Sequence, residues 1–392
     1  IIVAEKLYVD ALQEILKTKP HIDAKGLMAA SAQYFYDKLV KKGDQALMSL
    51  SFAKDLNQEK LDAFLKDFDI ECVGNDKALL LSYVMKAHPD LTFDAYNGPR
   101  SSGLLTFYRF ANLKLVAQYT QIGKELNAAG IVPLVMKGGA MKYLRPELSR
   151  AMSDIDILVH MGEEYKKSKQ IAVDMGYDYE DNGHSIDLHE KGSMAGLLDI
   201  HQWVEMNSDY DKQFMNTIFD RAQKQKVFNV ESYIPCAEDL VFLGLVNMVK
   251  NIREKTSLKG ILYTLFDFEF LTQSKSDFNW EIVKDNIKRT DTYPQMYTAI
   301  LFANQIVPGL LPEVLVEGKE FEKKIQNYCN RDIYYSIYIH DLKWKCKTLR
   351  LIKSLKDWKS FKYWYKTRIP YFFLKRIGKS QVLTNLFLKY FH

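Results

Sequence analysis

The sequence predicts an α+β fold in which a mixed β-sheet is flanked by helices, with further helical regions before and after it. Up to about residue 93, apolar residues recur at three- and four-residue spacing, which indicates helices. Short runs rich in branched residues follow between residues 131 and 204 and indicate strands. Helical spacing returns from Pro235. With 392 residues, 47% of them hydrophobic, the chain is long enough for two or three domains.

The N-terminal part of the chain is expected to be a helical region at residues 1–100. The segment Asn97-Gly98-Pro99 is a breaker and indicates a boundary near residue 100. Beyond it, a long helix is expected from about Ser102 until Gly130, because glycine is favoured just after a helix end.

A core domain is predicted at residues 101–210. Its strands are expected at 131–136, 155–159, 177–180, 185–189 and 197–204. A helix should fill residues 163–175 and end at Gly176. From Ala237 a strongly apolar segment, followed by a partner helix at 258–271, predicts a C-terminal helical domain at 211–335.

Composition excludes several classes of protein. No apolar run reaches the roughly 18 to 20 residues that span a bilayer, so no transmembrane helix is expected. Cys72, Cys236, Cys329 and Cys346 are scattered and form no CxxC pair, which argues against a disulfide framework and a structural zinc site. A cytoplasmic location fits best.

Two acids suggest a metal site. Asp154 and Asp156 are two residues apart on a predicted strand, so their side chains project from one face and can converge on one ion. Carboxylate oxygens suit a hard cation such as Mg²⁺. Alternating acids are also common on exposed strands, so this pair needs a supporting context.

That context comes from a turn upstream and an acid downstream. The strand at 131–136 runs into Lys137-Gly138-Gly139, where the small residues let a ligand approach the backbone and the next helix offers free N–H groups to phosphate. Such a turn can also be an ordinary connection, and the P-loop spacing is absent. Asp199 is the favoured third acid and Asp187 the competing one.

In this order and spacing, the residues resemble the uncharacterised nucleotidyltransferase family of bacterial proteins, within the superfamily that shares its fold with the polymerase beta palm. The resemblance spans about residues 100–275. Its motifs are Lys137-Gly138-Gly139-Ala140-Met141, Tyr143, Arg150, Ser153-Asp154-Ile155-Asp156-Ile157-Leu158-Val159, Asp199-Ile200-His201, Pro235 and Glu238-Asp239-Leu240. The chain departs from the pattern in two places. The superfamily's Gly-Ser is Gly138-Gly139 here, and residues 246–250 lack the histidine that the family often carries.

The resemblance implies a nucleotidyltransferase-type sheet and a metal-dependent enzyme that transfers a nucleoside monophosphate from an NTP to an unknown acceptor hydroxyl, releasing pyrophosphate. Asp154 and Asp156 would bind the Mg²⁺–triphosphate, with Mn²⁺ as an alternative ion, and Asp199 would complete the metal site and help deprotonate the acceptor. The nucleotide-binding residues would be Lys137, Gly138, Gly139, Arg150 and Ser153. Lys137 or Arg150 would neutralise the leaving pyrophosphate. His201 is expected to be a hydrogen-bonded core histidine rather than a residue that supports the metal.

The C-terminal segment differs from the rest of the chain in charge. Residues 341–392 contain 14 Lys or Arg against 2 Asp or Glu, a balance of +12, so of the total of +5 the first 340 residues carry −7. Aromatics interleave with these cations, and we predict a basic aromatic helical tail at 336–392. Contact with a membrane surface is favoured over nucleic acid, and packing on its own domain is the alternative. The alternative function is a catalytically silent nucleotide-binding or scaffold protein held at a membrane by this tail.

Overall fold

The computed structural model describes residues 11–323, apart from residues 13, 20–21, 147–149, 151, 192–195, 205–207, 255–257, 274–276, 291–292 and 320. The basic segment 341–392, with the membrane contact predicted for it, lies outside the described residues, and so does the end of the region 211–335. None of the helices within the described ranges is both long and apolar enough to cross a bilayer.

The N-terminal region is helical, as predicted. Its helices are α1 (Ala24–Leu39), α2 (Lys42–Ser51), α3 (Gln58–Asp67) and α4 (Asn75–Ala87). Side chains cap two of their starts: Asp23 accepts a hydrogen bond from the N–H of Gly26 at 2.7 Å, and Asn57 accepts one from the N–H of Lys60 at 2.9 Å. These caps satisfy N–H groups that a helix leaves free at its first turn.

The long helix α5 (Asn97–Ala128) begins earlier than the sequence predicts, because Asn97-Gly98-Pro99 starts the helix instead of breaking it. Pro99 is the third helical residue, where the missing N–H would have had no acceptor within the helix. Asp94 caps this start by accepting a hydrogen bond from the N–H of Asn97 at 2.6 Å. Gly130, with a φ of 81°, follows the end of the helix as predicted.

The centre of the chain is a mixed sheet, which confirms the predicted fold class. Its strands are β1 (Leu134–Val135), β2 (Ile155–Leu158), β3 (Asp178–Asp181), β4 (Ser185–His189), β5 (Gly196–His201), β6 (Gln223–Val227) and β7 (Val230–Ile234). Their order across the sheet is β3-β4-β5-β2-β1-β7-β6. The pairs β2–β5 and β1–β7 are parallel, and the other pairs are antiparallel.

The hairpin of β6 and β7 lies beyond residue 210, the predicted end of the core, and the sequence pattern does not predict these two strands. β7 pairs with the central strand β1, and β6 forms the edge of the sheet. Four of the five residues of β6 are Gln or Lys at the edge of the sheet, so the strand lacks the apolar alternation that identifies a half-buried strand. The turn between the strands contains Phe228 and Asn229, both with positive φ, as in a tight hairpin.

Helices cover the sheet and continue after it. They are α6 (Lys137–Leu144), α7 (Glu163–Asp174), α8 (Ser208–Arg221), α9 (Ala237–Glu254), α10 (Leu258–Gln273), α11 (Trp280–Arg289) and α12 (Tyr293–Ile306). On the sheet, α5 is fixed to β7 by a hydrogen bond between the hydroxyls of Tyr119 and Ser232 at 2.6 Å. The N-terminal and C-terminal helices also meet, because Tyr36 of α1 packs on Phe302 of α12 with ring centroids 5.9 Å apart.

Candidate active site

Asp156 and Asp199 lie side by side on the central strands of the sheet. β2 and β5 run parallel, and Asp156 is paired in register with Asp199. Side chains at paired positions point to the same side of a sheet, so both carboxylates project from one face. His201 lies two residues beyond Asp199 on β5 and therefore shares this face. The structure thus brings together the second acid of the Asp-Ile-Asp pair and the favoured third acid.

One oxygen of Asp156 receives two cationic or hydrogen-bonding partners. The Nζ of Lys137 lies 2.5 Å from Oδ1 of Asp156, and the Nε2 of His201 lies 2.9 Å from the same oxygen. Asp156 is buried. Burial would raise the pKa of Asp156, but the neighbouring Lys137 and the hydrogen bond from His201 outweigh it and hold this pKa below its usual range. Asp156 is therefore ionised at neutral pH.

His201 orients Asp156 by a hydrogen bond. Burial and the nearby Lys137 lower the pKa of His201, so its ring is neutral at neutral pH. A neutral imidazole that faces a carboxylate donates its N–H to it, which assigns the proton to Nε2 and leaves the buried Nδ1 as an acceptor. His201 is buried and hydrogen-bonded, as expected, but its partner is a carboxylate of the candidate site, which favours the alternative of a histidine that supports the site.

The chemistry of these side chains suits a divalent cation. Asp156, Asp199 and His201 each offer an atom, and all three atoms lie within 4.8 Å of one another. Since the Nε2–H of His201 is engaged with Asp156, carboxylate oxygens are the available ligands, and oxygen is what Mg²⁺ prefers. The residues present therefore fit the ion that the resemblance implies.

Burial and neighbouring negative charges raise the pKa values of Asp154 and Asp199. Burial, then the nearby Asp156, raises the pKa of Asp154 to about 6, although Lys137 acts in the opposite direction. Burial, followed by Asp156 and Asp154, raises the pKa of Asp199 to about 8. Among the described residues, Asp154 is not part of the tight group and lies one residue before β2, with Ser153 donating to its Oδ2 at 3.2 Å. It flanks the group from the chain that enters β2.

Asp187, the competing third acid, is paired in register with Asp199 on β4. Its two oxygens accept hydrogen bonds from the Nδ2 of Asn182 at 2.7 Å and from the Oγ of Ser185 at 3.1 Å. Asp187 is therefore adjacent to the tight group but held by its own strand and turn.

The turn Lys137-Gly138-Gly139 opens helix α6 beside the carboxylates. Lys137 has a φ of 45°, in the left-handed region that residues with a side chain rarely adopt. A Cβ at Gly139 would lie 2.9 Å from Val135 and 3.0 Å from Ile155, so this glycine is needed for packing of α6 on the sheet. The N–H of Ala140 donates to Met136, while the N–H groups that precede it in the first turn have no acceptor within the helix.

Arg150 is not among the contacts of the carboxylate group. Its guanidinium forms an ion pair with Asp267 of α10, with NH1 at 2.5 Å from Oδ2, and it lies over the ring of Tyr263 at 5.2 Å. The same side chain also approaches the turn, because a Cβ at Gly138 would lie 3.7 Å from its Nε. No sequence pattern singles out Asp267, because its pairing with Arg150 joins residues 117 positions apart and leaves no local signal.

Comparison with known proteins identifies the family. The sequence model of a family described as "Uncharacterised nucleotidyltransferase" matches residues 105–308, which is more than half of the chain. The chain belongs to this family. The match covers most of helix α5, the whole sheet and helices α6 to α12, and so includes every residue of the candidate site. This membership in the uncharacterised nucleotidyltransferase family confirms the resemblance that the sequence motifs predicted.

Other comparisons are more distant. Among solved structures, the chain is similar to the solution structure of the antibiotic-resistance factor ANT(2'')-Ia, with 11% identity and a TM-score of 0.28 over 61% of this chain and 99% of that one. A similarity at this level carries no information about the substrate. No curated protein sequence matches the chain.

Proposed function

We propose that this member of the uncharacterised nucleotidyltransferase family transfers a nucleoside monophosphate from an NTP to an acceptor hydroxyl, with a divalent cation as cofactor and pyrophosphate as product. The observation that carries the proposal is the register pairing of Asp156 with Asp199 beside the turn Lys137-Gly138-Gly139. A pair of strand acids next to a helix start provides a place for a cation and a place for phosphate on one face of the sheet.

Asp154, Asp156 and Asp199 are the residues that would hold the cation. When bound, a divalent cation such as Mg²⁺ supplies positive charge to the triphosphate and to the charge that develops during transfer. His201 keeps Asp156 in the orientation that this requires through the 2.9 Å hydrogen bond.

The first turn of α6 would bind the phosphates. The free N–H groups of Gly138 and Gly139 lie at the positive end of the helix dipole, and Lys137 adds a full positive charge. Arg150 flanks this turn while it remains paired with Asp267, and Ser153 lies at the entrance to β2. Together these groups would neutralise the leaving pyrophosphate.

The transfer step would be a displacement at the α-phosphorus. The acceptor oxygen forms a bond to the α-phosphorus, the bond from that phosphorus to the bridging oxygen of the β-phosphate breaks, and pyrophosphate leaves. The proton of the acceptor hydroxyl goes to the carboxylate of Asp199. Without a cation, burial and the charges of Asp156 and Asp154 raise the pKa of Asp199 to about 8; the positive charge of a bound cation would oppose this and keep Asp199 ionised, as a proton acceptor must be.

The test is label transfer. The full-length protein is incubated with each α-labelled NTP, Mg²⁺ or Mn²⁺, and a size-fractionated cell extract as the source of acceptor. We expect label in a product that depends on metal, together with release of pyrophosphate. The double variant Asp154→Asn/Asp156→Asn should abolish transfer, whereas Asp178→Asn, at an exposed acid of β3, should leave it unchanged.

Two results would count against the proposal. One is unchanged transfer in the double variant, which would remove the carboxylates from the reaction. The other is metal-dependent NTP binding by the wild-type protein with no pyrophosphate release in any extract, which would favour a nucleotide-binding or scaffold role.

A further inference from the structure

Lys137 forms an ion pair with Asp156, one of the carboxylates proposed to hold the cation. Its Nζ lies 2.5 Å from Oδ1 of Asp156, and the carboxylates of Asp154 and Asp199 also act on its charge. An ion bound about 2.1 Å from that oxygen would be no more than about 4.6 Å from the ammonium. At such a distance in a partly buried site, a divalent cation and an ammonium repel each other strongly. Lys137 and a metal ion therefore compete for Asp156.

The ammonium of Lys137 can leave Asp156 for a second position, near the turn proposed to bind phosphate. Its side chain is 33% exposed, whereas the side chain of Asp156 is 10% exposed, so the ammonium can swing toward solvent while the carboxylate stays in place. Its backbone forms the first residue of α6, at the turn proposed to bind phosphate. A lysine stem is long and flexible. An ammonium that leaves Asp156 thus remains within reach of phosphates bound at Gly138 and Gly139.

The backbone conformation of Lys137 directs its side chain toward Asp156. A φ of 45° is uncommon for a residue with a Cβ and persists only where surrounding contacts hold it. Here Gly139, packed against Val135 and Ile155, fixes the start of α6 against the sheet. The left-handed turn at Lys137 then places the lysine stem beside the end of β1, next to the neighbouring strand that carries Asp156.

We propose that Lys137 couples metal binding to nucleotide binding by exchange: its ammonium pairs with Asp156 in the free protein and moves to the triphosphate when the cation takes its place. This inference rests on the proposed metal-dependent function and adds the order of events. Metal alone must displace an ammonium that gains no new partner, so it binds weakly. Metal together with a triphosphate offers the ammonium new anionic partners, so each ligand strengthens the binding of the other, as linkage requires.

The experiment measures Mn²⁺ binding to the full-length protein by the electron paramagnetic resonance signal of free Mn²⁺. Titrations are run with and without inorganic triphosphate, which carries the phosphates common to all NTPs, and each is corrected by a protein-free blank. For the wild type we expect triphosphate to tighten Mn²⁺ binding by about 10-fold or more, within the usual range of coupling between sites.

Lys137→Met and Lys137→Gln should bind Mn²⁺ alone about 10-fold more tightly than the wild type and should lose most of the enhancement by triphosphate. The two variants differ in polarity, and thermal unfolding shows which of them keeps the fold. Lys142→Met is the matched control on the same helix, because the Nζ of Lys142 bonds to the carbonyl of Pro146. It should behave as the wild type does.

Equal affinity of the wild type and a folded Lys137 variant for Mn²⁺ alone would overturn the exchange and leave the proposed function intact. The exchange would also fall if triphosphate enhanced Mn²⁺ binding to the variant as much as to the wild type. Absence of Mn²⁺ binding in every protein, with and without triphosphate, would instead overturn the metal-dependent function on which the exchange rests.

Discussion

Asp156 and Asp199 are paired in register on parallel strands at the centre of the sheet, yet their environments separate their chemistry. Asp156 receives Lys137 and His201 on one oxygen, which keeps its pKa low. Asp199 has no comparable cationic contact within the described residues, and burial together with Asp156 raises its pKa to about 8. Two neighbouring carboxyl groups therefore carry different protonation states at neutral pH, a pattern that is typical of acid–base assignments in active sites.

The raised pKa of Asp199 predicts that the metal-free protein loses stability as pH rises. Between the ordinary pKa of an aspartate and about 8, the folded state binds a proton that the unfolded state has lost, so the free energy of unfolding falls with pH and the contribution is gone above about 8. Between about pH 7 and pH 8.5 the slope should be at most about 1.4 kcal/mol per pH unit for one proton. Urea unfolding in the presence of EDTA measures it.

Asp199→Asn removes this titration and should flatten the dependence in the same pH range. The window lies above the ordinary pKa of histidine, so the lowered pKa of His201 contributes little to it, and in the opposite direction. An equally steep fall in Asp199→Asn would mean that another group carries the proton.

The hydrogen bond from His201 predicts a role in metal affinity. His201→Gln should weaken Mn²⁺ binding by about 10- to 100-fold, the usual cost of losing a group that orients a metal ligand. His160→Gln is the control, because His160 is an exposed histidine stacked on Phe219 with ring centroids 4.2 Å apart. Resonance titration with Mn²⁺ in the presence of triphosphate measures both. Unchanged affinity in His201→Gln would show that Asp156 needs no such support.

How far the sequence predicts this site depends on which residues are considered. Strand alternation predicts which residues of one strand share a face, here Asp199 with His201, but it does not determine which residues of two strands are paired. The contact of both Lys137 and His201 with one oxygen of Asp156 could not be predicted. It depends on the register of β2 with β5 and on the positive φ of Lys137. Similarly, the polar edge strand β6 carries no apolar alternation, since solvent rather than a core covers it.

The two glycines of the turn should respond differently to alanine. At Gly139 a Cβ would meet Val135 and Ile155 at 2.9 and 3.0 Å, so Gly139→Ala should destabilise the protein by about 1–3 kcal/mol through overpacking. At Gly138 the nearest atom would be the flexible Sδ of Met152 at 3.3 Å, so Gly138→Ala should cost less than about 1 kcal/mol. Urea unfolding compares them. Equal costs would contradict the packing role of Gly139.

The ion pair between Arg150 and Asp267 ties the segment before β2 to helix α10, and its side chains are only 16% and 22% exposed. Asp267→Leu should lower the free energy of unfolding by about 3–5 kcal/mol, because it leaves the guanidinium of Arg150 buried without its counter-charge. Arg150→Met should lower the free energy of unfolding by a similar amount, because it leaves the buried carboxylate of Asp267 without its counter-charge. The double variant should cost clearly less than the two single changes together, with a coupling of about 1–3 kcal/mol measured by urea unfolding of all four proteins. Additive costs would show that the two charges do not stabilise each other, and α10 would then be held to the sheet by apolar packing alone.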